Sequence, residues 1–177
     1  MTTSFEGKLR RPADAKGTDG WTFVVLPKEQ SDRFARRGRI GVDASVNGHA
    51  FQGFLEPDGK LSHWLKIPQA LVEQAGAQVG AMVTLDVQAS PDEMEPTVPA
   101  EFLDMLNASP EARITWDNTT TIARIDWVHW IESAKQAKTR VSRMHDAIDM
   151  LGSGKKRVCC FDSSGYYSKS LSAPQEA

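Results

Sequence analysis

Two hydrophobic periods divide this chain. Up to about residue 90, apolar residues come in short runs interrupted by Gly, Pro, Asn and Asp, the pattern of strands joined by tight turns. Ser4–Arg11 reads as a first strand, followed by the polar loop PADAKGTDG. Trp21–Leu26, WTFVVL, is a β-branched and aromatic run stopped by Pro27, so a second strand is expected there. Glu29–Arg37 reads as a short helix with Gly38 at its end. Arg39–Val46 and His49–Leu55 flank Asn47–Gly48, a pair that tolerates positive φ at both central positions of a hairpin turn. Pro57–Asp58–Gly59 is another turn, Leu61–Ile67 a further strand, and Pro68 opens a short helix where proline is best tolerated. Ala81–Ala89 completes the set. About six short strands with tight turns predict a small closed β-barrel, because closure removes exposed strand edges.

From Pro99 the period lengthens to that of a helix. Pro99 starts one helix with Phe102, Leu103 and Leu106 on one face, and Ser109–Pro110–Glu111 starts another. Asn118–Thr121 caps a third. The densest signal lies in Trp127–Leu151. Ala134, Ala137, Val141, Met144, Ile148 and Leu151 recur every three or four residues and so share one face. Ile122, Ile125, Val128 and Ile131 continue that stripe upstream. A single helix over the whole stretch exceeds ordinary lengths, so two helices joined near Lys138–Thr139 are expected, with Thr139 as a cap and Gly152 as the left-handed stop. The fold class is therefore α+β. A small barrel over residues 1–89 precedes an acidic, proline-containing linker at 90–98, a helical region at 99–152 and a flexible tail at 153–177.

The charge balance narrows the partners. A formal net charge of −2 gives no general attraction to nucleic acid or anionic membrane. No apolar run is long enough to cross a bilayer, and the first residues lack the apolar core of a secretory signal, which argues for the cytoplasm. The adjacent Cys159–Cys160 pair reads as two reduced thiols. His49, His63, His129 and His145 form no His-x-x-x-His pair, and no Cys-x-x-Cys occurs, so neither metal nor other cofactor is expected.

Few residues suggest chemistry. Arg140 and Arg143 share a helical face and, with Lys135 and Thr139, make a candidate site for an anionic ligand or a partner protein. Their ordinary alternative is a solvated face or pairing with Asp146 and other acids. Arg33, Arg36, Arg37 and Arg39 form a second basic cluster, beside the barrel aromatics Trp21, Phe23, Phe51, Phe54 and Trp64. Such rings can stack bases, but they serve equally to fill a barrel or cover its helices. Asp92, Glu93 and Glu95 read as a solvated acidic loop, and Gly38-x-x-Gly41 precedes a strand where a phosphate loop would open a helix.

The order of these parts resembles a known family. WTFVVLP, a short helix ending in RRGR, VNGHAF, and PDG before a strand are joined to WI-x2-AK-x3-TR-x2-R, which is Trp130, Ile131, Ala134, Lys135, Thr139, Arg140 and Arg143. This arrangement is similar to the bacterial YdeI/OmpD-associated, bacteriocin-protection-like family, whose members often carry a small barrel of unknown function in front of the helical region. The likeness spans about Phe5–Leu151. It implies a six-stranded barrel plus helices in a bacterial cytoplasmic protein, a link to antimicrobial-peptide or stress resistance, and no catalytic residues. The expectation is a non-enzymatic binding module whose ligand, a small anion or a protein, sits where barrel meets helices on Lys135, Arg140 and Arg143. The second reading is a nucleic-acid-associated regulator using Arg33–Arg39.

Overall fold

The computed structural model describes residues 1–13, 20–92, 94–158 and 173–176. Most of the polar loop after the first strand, Glu93 of the linker, Cys159–Cys160 and most of the expected tail lie outside the described residues. The chain divides into two compact units, one built on Met1–Pro91 with residues 173–176, the other beginning at Asp92.

In the first unit the strands are β1 (Thr3–Lys8), β2 (Trp21–Val25), β3 (Ile40–Val46), β4 (His49–Pro57), β5 (His63–Pro68) and β6 (Met82–Ala89). They form one antiparallel sheet in the order β1-β6-β3-β4-β5-β2. The period of two along each strand puts Phe5, Val24, Val42, Leu55, Leu65 and Leu85 on the inner face, where they form one core. Short helices α1 (Lys28–Ser31) and α2 (Gln69–Gln74) lie between strands. The Asn47–Gly48 turn forms as expected, with φ of 48° and 84°. Pro68 stands at the N-cap position of α2, one residue before the helix begins.

The sheet is an open half-barrel, which corrects the expectation of a closed one. Its edge strands β1 and β2 do not pair as strands. They meet through one bridge after β1, in which Arg10 and Phe23 exchange N–H···O bonds of 2.9 Å. Prolines bound the stretch over which the two strands could pair. Extending this antiparallel register toward the start of β1 would set Glu6 opposite Pro27, which has no N–H to give. Pro12 ends the pairing in the other direction for the same reason. Two devices cover the gap. Gly7 leaves room for the Val24 side chain, which a Cβ at residue 7 would overlap, and α1 reaches β1 through a Gln30–Thr3 side-chain hydrogen bond.

The second unit contains α3 (Ala100–Ala108), α4 (Pro110–Asn118), α5 (Thr121–Glu132) and α6 (Ala137–Gly152). Pro99 and Ser109 stand at the N-caps of α3 and α4, and Thr120 caps α5 by accepting from the Ala123 N–H at 3.1 Å. Phe102, Leu106, Trp116, Trp127, Ile131, Met144, Ala147 and Leu151 form the core. Trp127 is fully buried, and its Nε1–H donates to the Lys156 carbonyl at 3.1 Å.

The long stretch is two helices, broken at Ser133–Gln136, a few residues before the expected joint near Lys138–Thr139. Thr139 sits inside the first turn of α6 and is not its cap. The stop also moves, from Gly152 to Gly154 at φ 91°. Gly154 N–H bonds to Leu151 O and Lys155 N–H to Met150 O, the paired bonds of a Schellman ending. The stripe is shorter than periodicity suggests: Ala137 and Val141 are exposed, Ala147 takes a core place, and Leu103 is partly exposed. None of the described helices is long and apolar enough to cross a membrane.

Candidate functional site

The joint between α5 and α6 is built by the motif that the sequence singles out. The start of α6 has Gln136 at its N-cap with no side chain capping it and no acid in its first turn. Its leading N–H groups carry the positive end of the helix dipole. Lys135, Lys138 and Thr139 are exposed around that end, and Arg140 is half-buried beside it. One Arg140 N–H donates back to the Ala134 carbonyl at 3.3 Å.

Arg143 faces the other way. Its N–H donates to the Trp130 carbonyl at 2.6 Å and to Ser133 Oγ at 3.1 Å, and its guanidinium carbon lies 5.4 Å from the Trp130 ring centre. Burial pushes its pKa down from the ordinary guanidinium value, which still leaves it protonated at neutral pH. A cation on the last carbonyls of a helix is favourable, so Arg143 closes the end of α5. The four residues Lys135, Thr139, Arg140 and Arg143 thus divide: Lys135 and Thr139 present themselves at the start of α6, Arg143 fastens the end of α5, and Arg140 donates to the segment between the two helices.

A related contact escaped the sequence reading. Arg124 on α5 donates to the carbonyls of Trp116 at 3.3 Å and Thr119 at 2.6 Å, closing α4. It also grips Glu95 through two bonds of 2.5 and 2.8 Å, and Thr121 Oγ1 donates to the same carboxylate at 2.5 Å. The Arg124 bond, with help from Thr121, holds the Glu95 carboxyl below its usual range. Glu95 is therefore an anchoring residue as well as a solvated acid. No spacing rule links it to Arg124, 29 positions away.

The cluster Arg33, Arg36, Arg37 and Arg39 does not present four arginines to a polyanion. Arg37 donates to the Leu61 carbonyl at 2.7 Å and lies 3.3 Å from Asp32. Arg39 pairs with Glu56 at 2.9 Å, with both side chains largely buried, and sits 5.9 Å from the Phe54 ring centre. Arg36 is half-buried. Arg33 lines a cleft of about 200 Å³ with Met1, Thr3, Phe34, Ala35 and Ala89. The aromatics divide as well. Phe51 packs on the sheet core, while Trp21 and Trp64 stack at 6.1 Å, with Phe23 buried at their edge and Lys66 Nζ 4.9 Å from the Trp21 ring centre.

Beneath the arginine segment lies a buried polar chain. His63 Nε2 is 3.1 Å from the Gly38 carbonyl, which can only accept, so Nε2 carries the proton. Nδ1 then accepts from the Ser31 hydroxyl at 2.6 Å. Both side chains are sealed from solvent. Burial pushes the His63 pKa below its ordinary value; Gly38 and Asp58 oppose this shift, and the charge of Arg37 adds to it while its backbone opposes it. This serine–histidine contact ties α1 to β5 and offers no substrate access. His129 is buried, and His49 and His145 are exposed. Among the described residues no group of three or more His, Cys, Asp or Glu is placed to hold a metal ion.

Comparison with protein families divides the chain in the same place. Residues 5–87 match a domain of unknown function (DUF1905), and residues 95–154 match the family described as bacteriocin-protection, YdeI or OmpD-associated. The second match contains α3 to α6 and the whole Trp130–Arg143 motif. No curated protein matches the chain.

Proposed function

The chain is a member of the YdeI/OmpD-associated family with an N-terminal domain of unknown function, and from that premise we propose that it is a non-enzymatic binding module whose helical region captures an anionic group at the start of α6. The observation that carries this reading is the bare N-terminus of a 16-residue helix, with Lys135, Lys138 and Arg140 around it. Exposed N–H groups and the helix dipole suit a carboxylate or phosphate, and the three cations add charge from the sides. The Thr139 hydroxyl supplies a further donor in the first turn. Arg143 supports this end indirectly, by fixing the joint from which α6 starts.

In this reading the ligand is a small anion or an acidic or C-terminal group of a protein. A cytoplasmic location belongs to the same proposal and comes from the sequence reading and the family resemblance. A role in resistance to antimicrobial peptides or stress comes from the family description alone. Binding is favoured over catalysis because the buried Ser31–His63 contact spends both ring nitrogens inside the fold.

The test is a titration of the full chain with inorganic phosphate and with acetate, followed through the backbone amide signals of Ala137, Lys138 and Thr139. Saturable shifts confined to these amides are expected. They should disappear in the K138E/R140E double variant while its unfolding temperature stays near that of the parent. Shifts spread evenly over surface lysines would overturn the assignment.

A further inference from the structure

Gln175 and Glu176 are bound to the segment that follows β1 and overhangs the start of β6. Beyond β1, Leu9 keeps its backbone bonds toward β6, through Ala81 O at 2.9 Å and Gly80 N at 2.7 Å, and Arg10 turns to Phe23 of β2. The next residues are met from the far end of the sequence. Pro12 forms an antiparallel bridge with Glu176, and the Ala13 N–H donates to the Gln175 carbonyl at 2.7 Å. The Glu176 carboxylate lies 3.3 Å from Lys8 Nζ and pairs with Arg10. Lys8 and Arg10, in that order of effect, hold this carboxyl below its usual range.

These contacts are the components of strand addition. Antiparallel backbone bonding supplies sequence-independent attraction, and a side-chain anchor supplies selection. Backbone groups alternate in direction along an extended segment, so the Ala13 N–H lies on the side of the Leu9 bonds, past the point where β6 begins, and that unpaired overhang is a template for another extended segment. The anchor is electrostatically one-sided. Lys8 and Arg10 favour a carboxylate and repel a basic side chain at the position of Glu176. The occupant is also held lightly: Glu176 and both its cations are partly exposed, and exposed pairs are individually weak.

We propose that the sheet edge from Lys8 to Ala13 is a docking site for an extended, acidic segment of a partner protein, and that the chain's own Gln175–Glu176 occupies it in cis until a partner strand displaces it. The partner's acidic residue takes the place of Glu176, and the residue before it gives its carbonyl to the Ala13 N–H. Proline at residue 12 restricts the exchange of backbone bonds, so the carboxylate anchor decides which segments bind. The cis segment acts as a competitor tethered to its own site, with an effective concentration in the millimolar range.

The experiment uses the full chain and a fluorescent peptide, Ala-Pro-Gln-Glu-Ala, matching residues 173–177. The peptide should saturate the E176K chain and bind the wild-type chain at least about tenfold more weakly, because the native segment competes. Adding Arg10→Gln to E176K should remove most of that binding, and a peptide with Lys in place of Glu should not bind. The variants should keep the parent's unfolding temperature. Equal binding to wild type and E176K, no saturation of E176K by about 5 mM peptide, or binding that survives Arg10→Gln would overturn the proposal. A doubled molecular mass of the wild-type chain that E176K abolishes would give the segment to a second copy and overturn occupancy in cis.

Discussion

In the sheet unit, the segment after α1 is pinned by a buried, neutral imidazole; in the helical unit, helix ends are pinned by guanidinium groups. His63 lies between the Ser31 hydroxyl and the Gly38 carbonyl, where burial penalises its charged form. Arg124 closes the end of α4 and Arg143 the end of α5, each by donating to backbone carbonyls from a later part of the chain. The chemical difference sets the response to conditions. An imidazole titrates near neutrality, so the first fastening weakens in mild acid. A guanidinium keeps its proton throughout, so its bonds to backbone carbonyls do not titrate, and acid reaches this unit only through Glu95 beside Arg124.

The largest expected effect is at Arg143. Arg143→Met keeps much of the apolar stem over Trp130 but leaves the Trp130 carbonyl and Ser133 without that donor, so urea unfolding should show a loss of about 1–3 kcal/mol. Arg143→Lys should recover only part of it, because an ammonium lacks the planar fork. If Arg143→Met leaves the unfolding midpoint unchanged, the fastening at α5 has no energetic weight.

The next effect is the pH dependence of the sheet unit. The folded pKa of His63 lies below the unfolded value of about 6.5, so the unfolded state binds the proton more readily. The stability held by neutral His63 is complete above pH 6.5, falls as pH drops through that value, and levels off below the folded pKa. Protection of the β2 and β5 amides from exchange, measured between pH 8 and 5, should follow this course and become flat in His63→Gln. A flat wild-type profile would remove the contrast between the two fastenings.

The smallest effect is at Glu95. Its carboxyl is held below the ordinary value, so the contribution of its pair with Arg124 is present above about pH 4.5 and is lost as pH falls through the folded pKa. Because Glu95 is more than half exposed, Glu95→Gln should cost below about 1 kcal/mol at neutral pH, in chemical denaturation. A larger loss would mean that the segment around Glu95 depends on this one carboxylate.

Much of this was legible in local residue patterns. The Asn47–Gly48 hairpin follows from two residues that accept positive φ, and the N-cap at Thr120 follows from one hydroxyl three positions before Ala123. Inner-face residues such as Val42, Leu65 and Leu85 follow from alternation. The candidate site was only half legible. Lys135, Thr139, Arg140 and Arg143 stood out by spacing, but spacing does not tell whether a guanidinium meets solvent or a carbonyl. Arg143 reaches Trp130, 13 residues away, only because α5 ends at Glu132 and the chain turns. Ser31–His63 and Arg124–Glu95 join residues 32 and 29 apart with no local signature.

By itself, the sequence determined the element types, the turn at Asn47–Gly48, the apolar faces and the resemblance that the family matches then bore out, because each depends on residues within a few positions of one another. Only the tertiary structure decided that the barrel stays open, that the long helical stretch breaks at Ser133–Gln136, and that Arg143 belongs to packing while Lys135 and Thr139 stand at a bare helix end. Those outcomes depend on which distant groups meet: edge strands that touch through a single bridge, and guanidiniums that find carbonyls left without donors at a helix end.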